Sequence, residues 1–240
     1  MHNFNAIYLI SLPIGEFSLQ ELDSSANTWA LKNIKYWVAE SAKTLRRYIS
    51  STNLGVEIND LKIIEWDKHG LSNDVYQFLD QNSKENNIAI VSDAGIPGVA
   101  DPGGLAVAWA HSRNLPVIPV VGASSLMLAL SASGLNGQSF KFHGYLPVKS
   151  PDLKRKLSQI VSEVGKDNTA QMFIETPYRN QSMFDLLLEV MPANMAICIA
   201  FDIHGSKQLI KTQSAGQWKK NKPEWVKAPC VFILGHILQR

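Results

Sequence analysis

The stretch IVSDAGIPGVADPGG, Ile90–Gly104, decides how the rest of the chain is read. The apolar run Ile88–Val91 ends in a loop holding four glycines, two prolines and two aspartates. The run is short, partly β-branched and bounded by turn formers, the pattern of a buried strand. In open α/β sheets, ligands bind at loops on the carboxyl ends of strands. Glycine admits close backbone approach and proline fixes φ, so such a loop can hold one shape before a ligand arrives. A plain surface turn needs fewer special residues, so the loop is read as a ligand wall.

Working outward, apolar runs at Ala6–Leu12, Ile34–Ala39, Leu61–Ile64 and Val117–Val121 predict further strands. Helical spacing is expected over Ser24–Leu31, Ala42–Ile49, Ser72–Asn82 and Leu105–Arg113. The second half repeats the style. Strands are expected at Phe140–Tyr145, Ala170–Ile174, Met195–Phe201 and Pro229–Leu234, and helices at Leu126–Ala132, Asp152–Val164 and Gln181–Val190. Alternation of strands and helices predicts an α/β fold with mainly parallel sheets. The junction falls in Val120–Ser125, giving an N-terminal α/β domain over 1–121 and a C-terminal one over 122–240.

The 240 residues, 45% hydrophobic and 18% charged, suffice for a sizeable core in one or two domains. A net charge of +2 neither demands nor excludes a nucleic-acid partner. Cys198 and Cys230 sit in apolar runs without metal-ligand spacing and are expected to be reduced core residues of a cytoplasmic protein. Met1–Asn5 lacks the cationic start of a signal peptide, and no run reaches the ~20 apolar residues of a membrane span. No metal site is expected.

Three strand-end loops stand out: Leu12–Gly15, Ser92–Gly104 and Gly122–Ser125. None is a Walker loop or a GxGxxG fingerprint. They suit a ligand held through backbone groups rather than a pyrophosphate, which calls for clustered donors at a helix N-terminus.

In these segments the chain resembles the tetrapyrrole methylase superfamily, the class III S-adenosylmethionine-dependent methyltransferases. Within it, the likeness is to the bacterial 16S ribosomal RNA ribose 2′-O-methyltransferase I subfamily. LPIGE at Leu12–Glu16 matches a TPIGN-type first loop, and DAGIP with ADPG at Asp93–Gly103 matches DAGTP with SDPG. VVGAS, LSASGL and GYLP, within Pro119–Lys149, follow in the family's order. The resemblance covers most of the chain. It implies two α/β domains with S-adenosyl-L-methionine in the cleft between them, a homodimer, and ribosomal RNA or the small ribosomal subunit as partner. Carried over by position, Pro13 and Gly15 line the cofactor from the first strand. Asp93, Ala94 and Gly95 form a second contact, Ser124 and Ser125 a third, and Ile174 and Glu175 a fourth.

The departures fall elsewhere. Where the subfamily reads Glu-Asp-Thr-Arg after its second strand, this chain has Glu40-Ser41-Ala42-Lys43. Its Arg-Glu-Leu-Thr block appears as Ala200-Phe201-Asp202-Ile203-His204. Methyl transfer is therefore more legible than the acceptor, and a tetrapyrrole-like or other small acceptor, or a non-catalytic cofactor- or RNA-binding role, stays open. No catalytic residue is assigned. Glu40 and Asp101 are candidate bases for a hydroxyl acceptor, with capping or cofactor positioning as the commoner alternative. His143 reads as ordinary and His204 as a loop residue. Lys149, Lys154, Arg155 and Lys156 form a basic run that is either a phosphate contact or a solvated helix face.

Overall fold

The structure is a computed structural model that describes residues 5–15, 24–66, 70–225 and 227–237. Met1–Phe4, part of the start that lacks cationic residues, and Glu16 of the first loop lie outside the described residues. The chain packs as two compact units, Met1–Ser124 and Ser125–Arg240.

The N-terminal unit carries β1 (Ile7–Leu9), α1 (Ser25–Asn33), β2 (Tyr36–Ala39), α2 (Ala42–Ser51), β3 (Lys62–Glu65), α3 (Asn73–Asn82), β4 (Ile88–Val91), α4 (Gly103–Ser112) and β5 (Val117–Pro119). Its five strands pair in the order β3-β2-β4-β1-β5, all parallel. Side chains alternate across a strand, so each run feeds two faces. Tyr8, Ile10, Trp37, Ala39, Ala89 and Val91 pack with Ala30 and Leu31 of α1 and Leu45, Tyr48 and Ile49 of α2. Ile7, Val38, Ile88 and Ile90 pack on the other face with Val75 and Leu79 of α3 and Ala106, Trp109 and Ala110 of α4. Burial on both faces explains why these strands read as continuous apolar runs rather than alternating ones. Serines start three of the helices: Ser24, Ser41 and Ser72 accept from the backbone N–H groups of Asn27, Thr44 and Val75.

This order has a functional consequence. The chain leaves β1 toward β2 on the α1 side and leaves β4 toward β5 on the α4 side. Adjacent strands β1 and β4 thus send their connections to opposite faces, which makes their carboxyl ends a topological switch point.

The C-terminal unit carries α5 (Ser125–Ala132), β6 (Phe140–Tyr145), α6 (Ser150–Asp167), β7 (Ala170–Glu175), α7 (Asn180–Val190), β8 (Ala196–Phe201), β9 (Leu209–Ser214), α8 (Ala215–Lys220) and β10 (Cys230–Gly235). Its sheet runs β6-β7-β10-β8-β9. Over both sheets five of the eight pairings are parallel, as expected for the α/β class. The three antiparallel pairings lie in this second sheet, where β10 inserts between β7 and β8, and β9 folds back on β8. Leu153, Leu157, Ile160 and Val164 of α6, with Met183, Phe184, Leu187 and Leu188 of α7, bury its main face against Phe173, Ile197, Ile199 and Phe232. Both cysteines are free and buried in this sheet. Among the described residues no helix is long and apolar enough to cross a membrane.

Candidate functional site

The three glycine-bearing loops of the N-terminal unit interlock at the switch point. Leu12 N–H donates to the Gly95 carbonyl (3.1 Å) and Gly95 N–H to the Leu12 carbonyl (2.9 Å), joining the β1 and β4 loops beyond the sheet's edge. Ser11 Oγ donates to the Ala123 carbonyl (3.1 Å), joining β1 to the loop after β5. Gly122 sits so close that a Cβ would lie 2.0 Å from the Ser11 Cβ, so only glycine fits there. Gly95 has a φ of +74°, and a Cβ on it would meet Ile14 at 3.3 Å and the Ala123 carbonyl at 3.4 Å.

The Ser92–Gly104 loop holds its own shape through Asp101. One carboxylate oxygen accepts from the backbone N–H groups of Gly98 (2.8 Å) and Gly103 (2.6 Å), the latter being the first residue of α4. Burial raises the Asp101 carboxyl above its ordinary 3.8, against the pull of hydrogen bonds from Gly98, Gly103 and Ser92. Asp101 thus staples the loop across Gly98 and reaches the first backbone N–H of α4 from one residue before its N-cap, Pro102. Glu40, at the end of β2, accepts from the Asp93 backbone N–H through Oε2 (3.0 Å). It too grips the β4 loop.

Beside these loops lies an open cavity of about 230 Å³, walled by Leu12, Pro13, Gly15, Asp93, Thr44, Arg47, Tyr48 and Ser51. Pro13, Gly15 and Asp93 thus line one space, with Gly95 packed behind them. Ala94 is exposed, and its carbonyl accepts from Ser92 Oγ (3.2 Å). Ser124 is half-buried at the end of the third loop. The four α2 residues were not singled out from sequence. Positions 44, 47, 48 and 51 follow i, i+3, i+4, i+7 and so share one stripe of the helix, but the spacing does not say that this stripe faces the β1 loop. In the altered Glu40–Lys43 block, Ser41 Oγ accepts from Thr44 N–H (3.2 Å). A serine thus supplies the cap an aspartate would, and Glu65 of β3 accepts from the Ala42 N–H.

The remaining candidates lie in the C-terminal unit. Ser125 opens α5, and Ile174 and Glu175 end β7. The Glu175 side chain is 1% exposed, accepts from the Thr176 N–H (2.6 Å) and lies 3.2 Å from an Arg179 guanidinium nitrogen. It braces the turn after β7. His143 shares a 2.7 Å hydrogen bond with buried Gln171, and burial lowers its pKa from the ordinary 6.5. His204 and Asp202 both hold left-handed φ in the loop after β8. Of the basic run, Lys154 pairs with Glu189 and Arg155 with Asp152, as on a solvated helix face. Among the described residues, no three His, Cys, Asp or Glu side chains are grouped to hold a metal.

Curated relatives extend this picture. A protein of Halalkalibacterium halodurans named ribosomal RNA small subunit methyltransferase I is 29% identical over 80% of this chain and 63% of its own. A Vibrio cholerae protein of the same name is 27% identical over 82% of this chain and 64% of its own. The chain is a relative of ribosomal RNA small subunit methyltransferase I. The methyltransferase I of Leptospira biflexa is 26% identical over 96% of this chain and 90% of its own. The chain spans under two thirds of the length of the first two methyltransferase I relatives. No protein-family profile matches the chain.

Proposed function

We propose that the protein is an S-adenosylmethionine-dependent methyltransferase acting on small-subunit ribosomal RNA, with a ribose 2′-hydroxyl as acceptor. The observation that carries the reading is the Leu12–Gly95–Ala123 interlock, which builds a fixed backbone wall at a switch point without a phosphate-binding fingerprint. The names of the relatives support the reaction and the RNA class.

The residues fit such a cofactor. Gly95 lets the β1 and β5 loops close in behind the wall, where a side chain would meet Ile14 and the Ala123 carbonyl, and Pro13, Gly15 and Asp93 border open space in front of it. When bound, the cofactor supplies a methyl group already activated on a sulfonium, so the protein's task is alignment and exclusion of water. Asp101 and Glu40 serve that task by fixing the β4 loop from within and from β2. Loop shape is set before binding, which lowers the ordering cost of the bound state.

A second reading, transfer to a small acceptor, draws on exposed Lys43, where the subfamily has an arginine able to bind phosphate bidentately. Labelled-methyl transfer separates the two. The RNA reading expects label in ribosomal RNA when small subunits lacking the modification are supplied, with the product mapped to a ribose oxygen. Label confined to small molecules would replace it.

A further inference from the structure

Tyr178 is the most exposed aromatic side chain among the described residues, at 79%. A single exposed ring is unremarkable by itself. Its mounting is not. Arg179 N–H donates to the Thr176 carbonyl (2.9 Å), closing a β-turn with Pro177 at its second position, where a fixed φ suits the turn. Buried Glu175 takes the Thr176 N–H and pairs with Arg179, so both ends of the turn are anchored in the fold. Asn180 Nδ2 donates to the Ala228 carbonyl (2.7 Å), tying the start of α7 to the segment before β10. That segment carries Lys227, whose Nζ stands 4.2 Å from the centroid of the Tyr178 ring.

A second ring reaches the same end of the sheet. β6 and β7 are parallel, with Tyr145 in register with Ile174, so their following connections leave together. Tyr145 is 62% exposed and Val148, three residues on, 74%. β10 runs antiparallel with Cys230 opposite Glu175, which brings Lys227 to this end as well. The result is an exposed aromatic ring on an anchored turn, with a cation over it and a second exposed ring on the adjacent strand end. A planar π partner carrying a nearby negative charge matches that chemistry: an unpaired nucleobase and its phosphate.

We infer that this end of the C-terminal sheet is a stacking platform for an unpaired base of the RNA acceptor, with Tyr178 under the base and Lys227 at an adjoining phosphate. The inference rests on the RNA-methyltransferase reading. It gives the C-terminal unit a role in gripping single-stranded RNA.

The test uses the full chain and a fluorescent unstructured oligoribonucleotide of about a dozen nucleotides, matched to single-strand site sizes, at low ionic strength. Tyr178→Ala should weaken binding about tenfold, the scale of one lost base stack. Tyr178→Phe keeps the ring and should bind as the wild type does. Lys227→Gln should lower the slope of log affinity against log salt by roughly 0.7, one single-strand phosphate contact. Affinity for S-adenosylhomocysteine and the sedimentation coefficient should be unchanged in all three. The platform is refuted if Tyr178→Ala binds RNA normally or if the wild type binds no RNA. It is refuted too if Tyr178→Ala loses cofactor affinity, or changes oligomeric state because the ring is covered by a second copy. A parallel methyl-transfer assay separates the two ideas. Wild-type transfer to ribosomal RNA that Tyr178→Ala leaves intact removes the platform and spares the function; no transfer to RNA by the wild type removes the function.

Discussion

Leu12 and Gly95 exchange both backbone hydrogen bonds across the carboxyl edge of the parallel sheet, at 3.1 and 2.9 Å. The loops after β1 and β4 are therefore one surface, although more than eighty residues separate them in sequence. Gly95 makes this possible because its φ of +74° is costly for any residue with a Cβ, by roughly 1–2 kcal/mol. Gly95→Val adds a branched side chain against Ile14 and the Ala123 carbonyl. The variant should stay folded, with a lowered denaturation midpoint, and lose S-adenosylhomocysteine binding in calorimetry. Wild-type affinity in the variant would remove this loop from the cofactor wall.

Asp101 should behave as a staple, not as a base. Asp101→Ala leaves the Gly98 and Gly103 N–H groups without their acceptor, at roughly 1–3 kcal/mol for hydrogen bonds to a charged group. Urea denaturation should show that loss, and cofactor affinity should fall with it. A drop in turnover of several orders of magnitude at unchanged stability and affinity would instead mark Asp101 as the proton acceptor.

Much of this was written in local sequence. Apolar runs place β1 to β5, helical spacing places their helices, and the glycine loops mark the strand ends that meet. Three features were not legible for physical reasons. A run buried on both faces, such as Cys230–Gly235, reads the same whether its neighbours are parallel or antiparallel, so the insertion of β10 leaves no mark. β9 is an edge strand, half-exposed along most of its length with Lys211 facing solvent, and lacks clean alternation. The cavity wall on α2 depends on which face tertiary packing turns toward the β1 loop. α8 is not among the expected helices although its start carries a local mark, the Ser214–Gln217 capping box.

His143 gives the fold a pH dependence of definite sign. Burial lowers its pKa in the native state from 6.5, so the unfolded chain binds more protons in the window just below that value. Stability should fall as pH drops through about 6.5 toward the lower native value. Melting temperatures across this range should decline less steeply in His143→Gln than in the wild type. Parallel curves would show that another group controls this window.

The thiols should be silent in the native protein. Burial pushes the Cys198 pKa up to about 11 and raises that of Cys230 further. A thiol reagent at neutral pH should label neither until denaturant is added, and then both. Labelling on mixing would show that the β8–β10 region opens readily.

The most direct measurement is transfer of a labelled methyl group from S-adenosylmethionine to small ribosomal subunits purified from a strain lacking the gene. The wild-type protein should place label in the small-subunit ribosomal RNA, on a ribose oxygen, and Gly95→Val should place none. A wild-type protein that binds the cofactor yet labels no RNA, or labels only small molecules, would contradict the assignment.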